Sequence, residues 1–420
     1  MKWVWSHLLI GTLLLAGEPP QENNVNSRYI IEKVDLMVAG PQKVEIAPPV
    51  RSEIQRLTGS HFSQTAIDAL IKVIRQQFQD SSITQKLTRG SIPDHVKVSL
   101  EVEPREPRFS LSVPKFLYHS KQGWSAAVEG SARLAKNKFT LGLIADGDEL
   151  AERYAGITGR YERSRLGTDR LRLGFAAGSL HTQWNPATLE RLDSLAEAGT
   201  PTPGIYRTRQ YFEPALTIVL AKPLTFTVGT SFQLFQTQFP AARTEASNAL
   251  VNTLRYHREW EAPDASKHTV EAGYTLRAAT RLLDSDFAYS GHRWQLAYQY
   301  ARGRHAVRTE FTAGVLNGTA PLFERYYLGT SSTLRGWNKF DIDPVGGDRM
   351  VHNTLEYRYR YFQIFYDTGA VWTNRSPSQA QPVPRHSAGV GLRKDNFTLA
   401  VAFPIKEGRA EPLFMVGMNY

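Results

Sequence analysis

The sequence predicts an all-β transmembrane barrel of about sixteen antiparallel strands, preceded by one small α+β domain. Three observations carry that prediction. From Phe109 to Tyr420, segments of roughly nine to twelve residues alternate apolar and polar side chains, the length a tilted strand needs to cross a bilayer. Amphipathic helical periodicity is confined almost entirely to residues 29–104. After the N-terminus no stretch reaches the eighteen or so apolar residues a membrane helix requires, and the mean hydropathy is −0.36.

Residues 1–17 read as a secretory signal: Lys2 supplies the positive start, Leu8 to Leu15 the apolar run, and Ala16-Gly17 the small residues near a cut. Residues 18–28 are polar and rich in Pro and Asn, and read as a flexible leader. The 420 residues contain no cysteine, which excludes disulfides, thiolate metal sites and thiol catalysis. An apolar content of 41% and a charged content of 21% argue against wholesale disorder. The net charge of +10 is spread along the whole chain. A nucleic-acid partner would gather basic residues on one element with interleaved aromatics, so none is expected; outer-membrane lipid is.

Within residues 29–104 the order is β-α-α-β-β. Tyr29 to Val38 reads as a strand, Pro48-Pro49 opens a short helix ended by Gly59, and Ser63 caps a second helix. That helix carries Ile67, Leu70, Ile71, Ile74 and Phe78 on one stripe. Ser82 to Leu87 and His95 to Glu103 follow as strands, the latter alternating Val96, Val98, Leu100 and Val102. Any small α+β module fits this order. Pro104 and Pro107 mark the linker to the barrel of residues 109–420.

The barrel segments begin with Phe109, Leu111 and Val113, then Trp124 to Leu134, then Phe139, Leu141 and Leu143. They run on through Leu224, Phe226 and Val228, Trp294, Leu296 and Tyr298, and Phe397, Leu399 and Val401. Thr225, Thr227, Gln295 and Glu310 are among the interleaved polar partners, giving a lipid-out, water-in pattern. Soluble sandwich strands alternate too, but run to only about five or six residues. Trp124, Tyr154, Trp184, Tyr211, Trp260, Tyr289, Trp372 and Tyr420 stand near segment ends and suit interfacial girdles. Residues 185–208 form the longest insertion, where Leu189, Leu192 and Leu195 suggest a short helix on an extracellular loop.

The strongest motif is Leu334-Arg335-Gly336-Trp337, in a long loop between strands, followed by Phe365-Tyr366-Asp367-Thr368-Gly369. Gly336 would let the loop tip turn tightly. Arg335 would carry a permanent charge into a confined space, costly unless paired. Glu356 and Asp367 lie on the next two strands, and Leu355 and Tyr357 take the opposite parity to Glu356. Both acids are therefore expected to face the lumen within reach of one guanidinium. Gly329-Thr330-Ser331-Ser332-Thr333 is not a nucleophile elbow, the eleven His show no paired metal spacing, and Gly346-Gly347-Asp348 does not join a strand to a helix. No catalytic residue, metal, cofactor or enzymatic activity is expected.

The loop motif, the strand motif from Phe365 to Gly369 and the aromatic C-terminus together resemble the BamA/TamA/FhaC superfamily, POTRA-bearing outer-membrane barrels also grouped as bacterial surface antigens. The resemblance covers nearly the whole chain after the signal. It identifies residues 29–104 as a POTRA-like periplasmic domain, with Leu57 to Ser63 matching the turn between that domain's helices. Leu334 replaces the more usual Val, and a single Gly329 stands where a Gly pair is common. The resemblance implies that Arg335, Gly336 and Trp337 form a lumen lock with Glu356 and Asp367, and that Phe414, Val416, Met418 and Tyr420 form the C-terminal insertion signal. It implies a Gram-negative outer-membrane factor that inserts or translocates unfolded polypeptide clients, with possible periplasmic accessory proteins. The periplasmic sheet edge would take an extended client segment, and the first and last barrel strands would part, a seam weakened by Pro114. Two other readings stand at this point: a two-partner-secretion exporter, which usually carries two POTRA domains and a plug helix, and a passive porin-like channel, which needs neither domain nor lock.

Overall fold

The computed structural model describes residues 28–38, 46–78, 81–104, 109–198, 204–239, 241–374, 382–408 and 411–418. The signal, the leader up to Asn26-Ser27, the linker prolines' surroundings at 105–108 and Tyr420 lie outside the described residues. The chain divides into two compact units, residues 1–107 and 108–420.

In the first unit, strand β1 (Ile30–Val38), helices α1 (Pro48–Leu57) and α2 (Gln64–Gln77), and strands β2 (Ser81–Arg89) and β3 (His95–Pro104) follow in order. Proline at the start of α1 costs nothing, because the first helical N–H groups have no intrahelical partner. Gly59 adopts a left-handed φ of 83°, which a residue with a Cβ would resist. The Ser63 side chain accepts from the Ala66 N–H and caps α2. The sheet order is β1-β3-β2, with β1 parallel and β2 antiparallel to β3. Ile67, Leu70 and Ile74 pack on Val98, Leu100 and Val102, all buried, with Ile71 and Phe78 at the margin. The helical stripe and the alternating strand therefore meet in one core.

The second unit is a closed antiparallel barrel of sixteen strands. The first four strands are β4 (Phe109–His119), β5 (Gly123–Leu134), β6 (Asn137–Asp146) and β7 (Glu152–Arg163). Next come β8 (Leu171–Trp184), β9 (Ile205–Ala221) and β10 (Leu224–Phe239). The short β11 (Arg243–Ala246) and β12 (Ala249–Glu261) both pair with β10 and together close the register there. Then follow β13 (Lys267–Ala279), β14 (Ala288–Arg302), β15 (His305–Thr319), β16 (Arg349–Tyr359) and β17 (Phe362–Trp372). The last three are β18 (Arg385–Lys394), β19 (Phe397–Ile405) and β20 (Leu413–Met418). At one end two-residue turns join most of the hairpins, with Ala135, Gly303, Arg360 and Asp395 at positive φ, as tight hairpins demand. The other end carries the long loops, which marks it as the extracellular end.

Large apolar side chains cover the outside: Leu141, Leu143, Ile157, Leu296 and Leu355 are each at least half exposed. Residues of the opposite parity line the interior. Several aromatics depart from the expected girdles. Tyr154 and Tyr289 are buried inside, and the Trp184 indole donates to the Tyr206 carbonyl at 2.7 Å. Tyr206, Phe235, Phe287, Tyr289 and Phe323 instead build an aromatic cluster within the barrel. The hydroxyls of Tyr206 and Tyr289 find partners there in Glu152 and Arg277, which lipid would deny them. Trp124 and Trp260 do stand exposed, as expected. The insertion helix is present as α3 (Pro186–Glu197), but Leu192 packs on Leu322 and Val345 rather than on its own loop alone.

The strand that opens the barrel breaks its own alternation. Phe109 and Leu111 point outward, 77% and 79% exposed, yet Leu117 of the same parity is fully buried and Phe116 takes the outer face. A register shift between Ser112 and Lys115, around Pro114, inserts the extra residue. Among the described residues, closure between β20 and β4 pairs Met415–Met418 with His119–Phe116, and the Ser120 N–H donates to the Phe414 carbonyl at 2.9 Å just beyond. Pro114 lies beyond that paired stretch, so it shapes the β4–β5 side of the strand rather than removing a seam donor between described residues.

Candidate functional site

The loop between β15 and β16 (residues 320–348) folds into the barrel interior and is built from buried anchors. Leu322, Leu328 and Leu334 are essentially inaccessible, and Leu334 packs with Leu328, Trp337 and Met350. A short helix, α4 (Lys339–Ile342), follows the tip.

Arg335 sits at the tip. Its backbone N–H and Nε donate to Asp367 Oδ2 at 3.1 and 2.9 Å, and Nη2 donates to Asp367 Oδ1 at 2.8 Å. Nη1 reaches Glu356 Oε2 at 3.2 Å, and Nη2 also donates to Thr354 Oγ1 at 2.9 Å. Thr354 lies opposite Asp367 in the β16–β17 register and donates its hydroxyl to Asp367 Oδ1 at 2.6 Å. The Asp367 side chain is fully buried and those of Arg335 and Glu356 are each 12% exposed. Burial alone would disfavour the Arg335 charge, but the Asp367 and Glu356 carboxylates outweigh it and raise its pKa above the ordinary value.

The rest of the two motifs supports this pair. The Phe365 ring lies under the guanidinium, 3.6 Å from centroid to Cζ, so the strand motif supplies a cation–π face as well as the acid. Gly389 on β18 makes room for that ring, since a Cβ there would stand 2.2 Å from Phe365 Cζ. Gly369 lets Leu328 approach, a Cβ there meeting Leu328 Cδ1 at 3.0 Å. The Trp337 indole donates to the His386 carbonyl at 2.9 Å, with Arg385 over its ring at 4.5 Å. The tip does turn tightly across Arg335 and Gly336, the Trp337 N–H donating to the Leu334 carbonyl at 3.0 Å, but Gly336 is not among the left-handed glycines, so the turn alone does not require it. A Cβ on Gly336 would stand 2.5 Å from Ser387 Cβ and 2.8 Å from the Phe403 backbone, so glycine lets the tip lie against β18 and β19.

A group of residues that sequence reasoning did not single out completes the loop's seating. Asp148, in the β6–β7 loop, accepts from the Ser331 backbone N–H at 2.9 Å and the Ser331 hydroxyl at 2.6 Å. Lys115 on β4 pairs with Asp146 at 2.5 Å and reaches Asp148 at 3.4 Å. Lys339 is 1% exposed, and its amine donates to the Gly147 and Asp148 carbonyls. Burial pulls its pKa down to about 8 against the opposing pull of Asp148 and Asp146. The Gln122 side chain donates to the Gly329 carbonyl at 2.8 Å. The run Asp146-Gly147-Asp148-Glu149 was the available signal, but nothing local says what faces it.

At the C-terminus, Phe414 and Met418 point outward, 49% and 37% exposed, with Val416 half-buried between them, while Tyr420 lies outside the described residues. Among the described residues no group of three or more His, Asp or Glu side chains is placed to hold a metal ion.

Residues 273–409, which include the whole loop and both motifs, match the Omp85 superfamily domain. A stretch of 149 residues is 28% identical to the outer membrane protein assembly factor BamA of Nitratidesulfovibrio vulgaris, covering 30% of this chain and 19% of that relative's length. Two solved structures share the fold. BamA from Haemophilus ducreyi lacking POTRA domains 1–3 aligns with a TM-score of 0.59 at 16% identity, over 92% of this chain and 84% of that one. CdiB from Acinetobacter baumannii aligns with a TM-score of 0.53 at 11% identity, over 92% and 74%. The chain is thus a closed sixteen-strand outer-membrane barrel that carries an Omp85 superfamily domain across its interior loop and shares its fold with the BamA and CdiB structures.

Proposed function

We propose that the chain inserts or translocates polypeptides at the outer membrane in the manner of a BamA/TamA-type factor, with residues 29–104 as a POTRA-like periplasmic domain. The observation that carries this reading is the loop tip held inside the barrel by Arg335 on Asp367 and Glu356, together with a seam that pairs over only four positions among the described residues. A short seam is the least costly place for the wall to part, because each lost pair exposes backbone groups that lipid cannot satisfy. A client strand entering there would supply the missing partners. In the first unit β2 stands at the sheet edge, with unpaired backbone groups suited to strand addition. The lock keeps the loop seated while the wall changes, so it acts as a positioning element and has no chemistry of its own.

The test is reconstitution. The full chain in liposomes should accelerate folding of an unfolded outer-membrane barrel client, read as its shift to the fast-migrating unboiled form on a gel. Folding no faster than in protein-free liposomes, with the chain itself folded, would refute the assembly reading. Free passage of small solutes would in that case move the reading to a passive channel.

A further inference from the structure

We infer that Asp148 is the centre of a second anchor, which makes the interior loop a strap across the β4–β20 seam and sets how readily that seam parts. This deepens the proposed function, and rests on it only for the statement that seam opening serves a client.

The two attachments of the loop lie on opposite sides of the seam. On one side Arg335 holds β16 and β17, while Gly336 and Trp337 lie on β18 and β19. On the other side Ser331 and Lys339 hold the β6–β7 loop through Asp148 and its neighbouring carbonyl. Lys115 carries that hold to β4, the seam strand itself, through Asp146 and Asp148. It can do so only because the bulge at Pro114 turns Lys115 inward. Gln122, in the turn that follows β4, adds the bond to Gly329. The order around the wall is therefore anchor, β20, seam, β4, anchor. Parting β4 from β20 moves the two anchors apart, and only three residues of loop, Ser332 to Leu334, separate Ser331, Asp148's partner, from Arg335. One anchor must then yield.

Asp148 is the one expected to yield. Arg335 is held by a fork of charged contacts to two carboxylates. Asp148 grips the loop through a single serine and neutral carbonyl contacts. Charge-assisted bonds between two ionised partners outlast those with one. The buried charge of Asp148 still makes those bonds matter, since without them the carboxylate loses donors it cannot replace from water.

The chain has no native cysteine, so the seam can be labelled cleanly. Lys121 and Glu411 face each other across its extracellular end at 2.9 Å, and both are exposed. Spin labels on Lys121→Cys and Glu411→Cys, in the full chain in liposomes without client, report the seam distance. We expect one short distance in the otherwise unchanged protein. In Asp148→Asn a longer population should rise about tenfold, with Ser331→Ala intermediate, in line with loss of one or more hydrogen bonds to a charged group. Arg243→Ala, far around the barrel on β11, should change nothing. Unchanged distances in a folded Asp148→Asn overturn the inference, as does equal widening in Arg243→Ala. If Asp148→Asn does not fold, Ser331→Ala decides in the same way. A seam that widens as expected in a chain that fails the client assay leaves the strap standing and removes the assembly reading.

Discussion

Replacing Arg335 by Ala removes two side-chain hydrogen bonds to Asp367, one to Glu356 and one to Thr354, along with the stacking on the face of Phe365. The backbone N–H to Asp367 survives only if the tip stays in place. Asp367 is left fully buried with the Thr354 hydroxyl and, while the tip stays seated, that backbone N–H as its donors. Breaking a buried pair by deleting one partner costs about 3–5 kcal/mol. At about 1.4 kcal/mol per tenfold, the seated loop becomes less favoured by roughly a hundred- to several thousand-fold. Lys339 supplies the assay, because it is 1% exposed while the loop is seated and becomes a trypsin site when the loop leaves. With trypsin limiting, the cleavage rate follows the open population. Cleavage after residue 339 should rise by about a hundredfold or more in Arg335→Ala, with the barrel still migrating as a folded species in unboiled gels. Arg335→Lys should recover little, since a point charge cannot fork two carboxylates. Asp367→Asn should resemble Arg335→Ala, and the double variant should lose less than the sum. Cleavage as slow as in the unchanged chain, or losses that add fully, would refute the argument and leave Arg335 an ordinary loop residue.

Two further outcomes follow from the geometry. Gly336→Ala places a Cβ 2.5 Å from Ser387 Cβ and against the Phe403 backbone, so it should unseat the tip and raise the same cleavage while the barrel still forms. Residues 28–104 alone should give a folded α+β fragment, read by far-UV circular dichroism, and a random-coil spectrum would count against the POTRA-like assignment. In that fragment Glu32 accepts from the Ser91 N–H at 2.5 Å and pairs with Lys97 at 3.2 Å. Partial desolvation works against its charge, but these bonds outweigh it and lower its pKa below the ordinary 4.5. A lowered carboxylate pKa means the contribution is present above that value and is lost as the pH falls through the folded one. The melting temperature should therefore drop on acidification below pH 4.5, and the drop should shrink in Glu32→Gln.

Much of the architecture was legible in the chain because period two is a local property. Lipid outside and water inside force the same alternation on every strand, so Leu141, Leu143 and Leu355 declare the outer face without knowledge of their neighbours. The helical stripe of Ile67, Leu70 and Ile74 declares itself for the same reason. The parity of Leu355 and Tyr357 likewise placed Glu356 inside, and the order of the two motifs put Asp367 on the adjacent strand. Where one extra residue enters, local counting fails. The bulge at Pro114 reverses β4, and Lys115 and Leu117 turn inward against the pattern set by Phe109 and Leu111. Aromatic residues at strand ends are equally at home in a membrane interface or a packed interior, and Tyr154, Tyr289 and Trp184 took the interior. The reason for Gly336 was close approach to β18 and β19, which depends on where the loop tip lands. Asp148 and Ser331 lie 183 positions apart, and Asp148 and Lys339 lie 191 apart. No spacing in the chain relates them. Closing sixteen strands into one wall brought them to the same side of the lumen, and burial away from water then required the Asp148 carboxylate to find donors and the Lys339 ammonium to find acceptors.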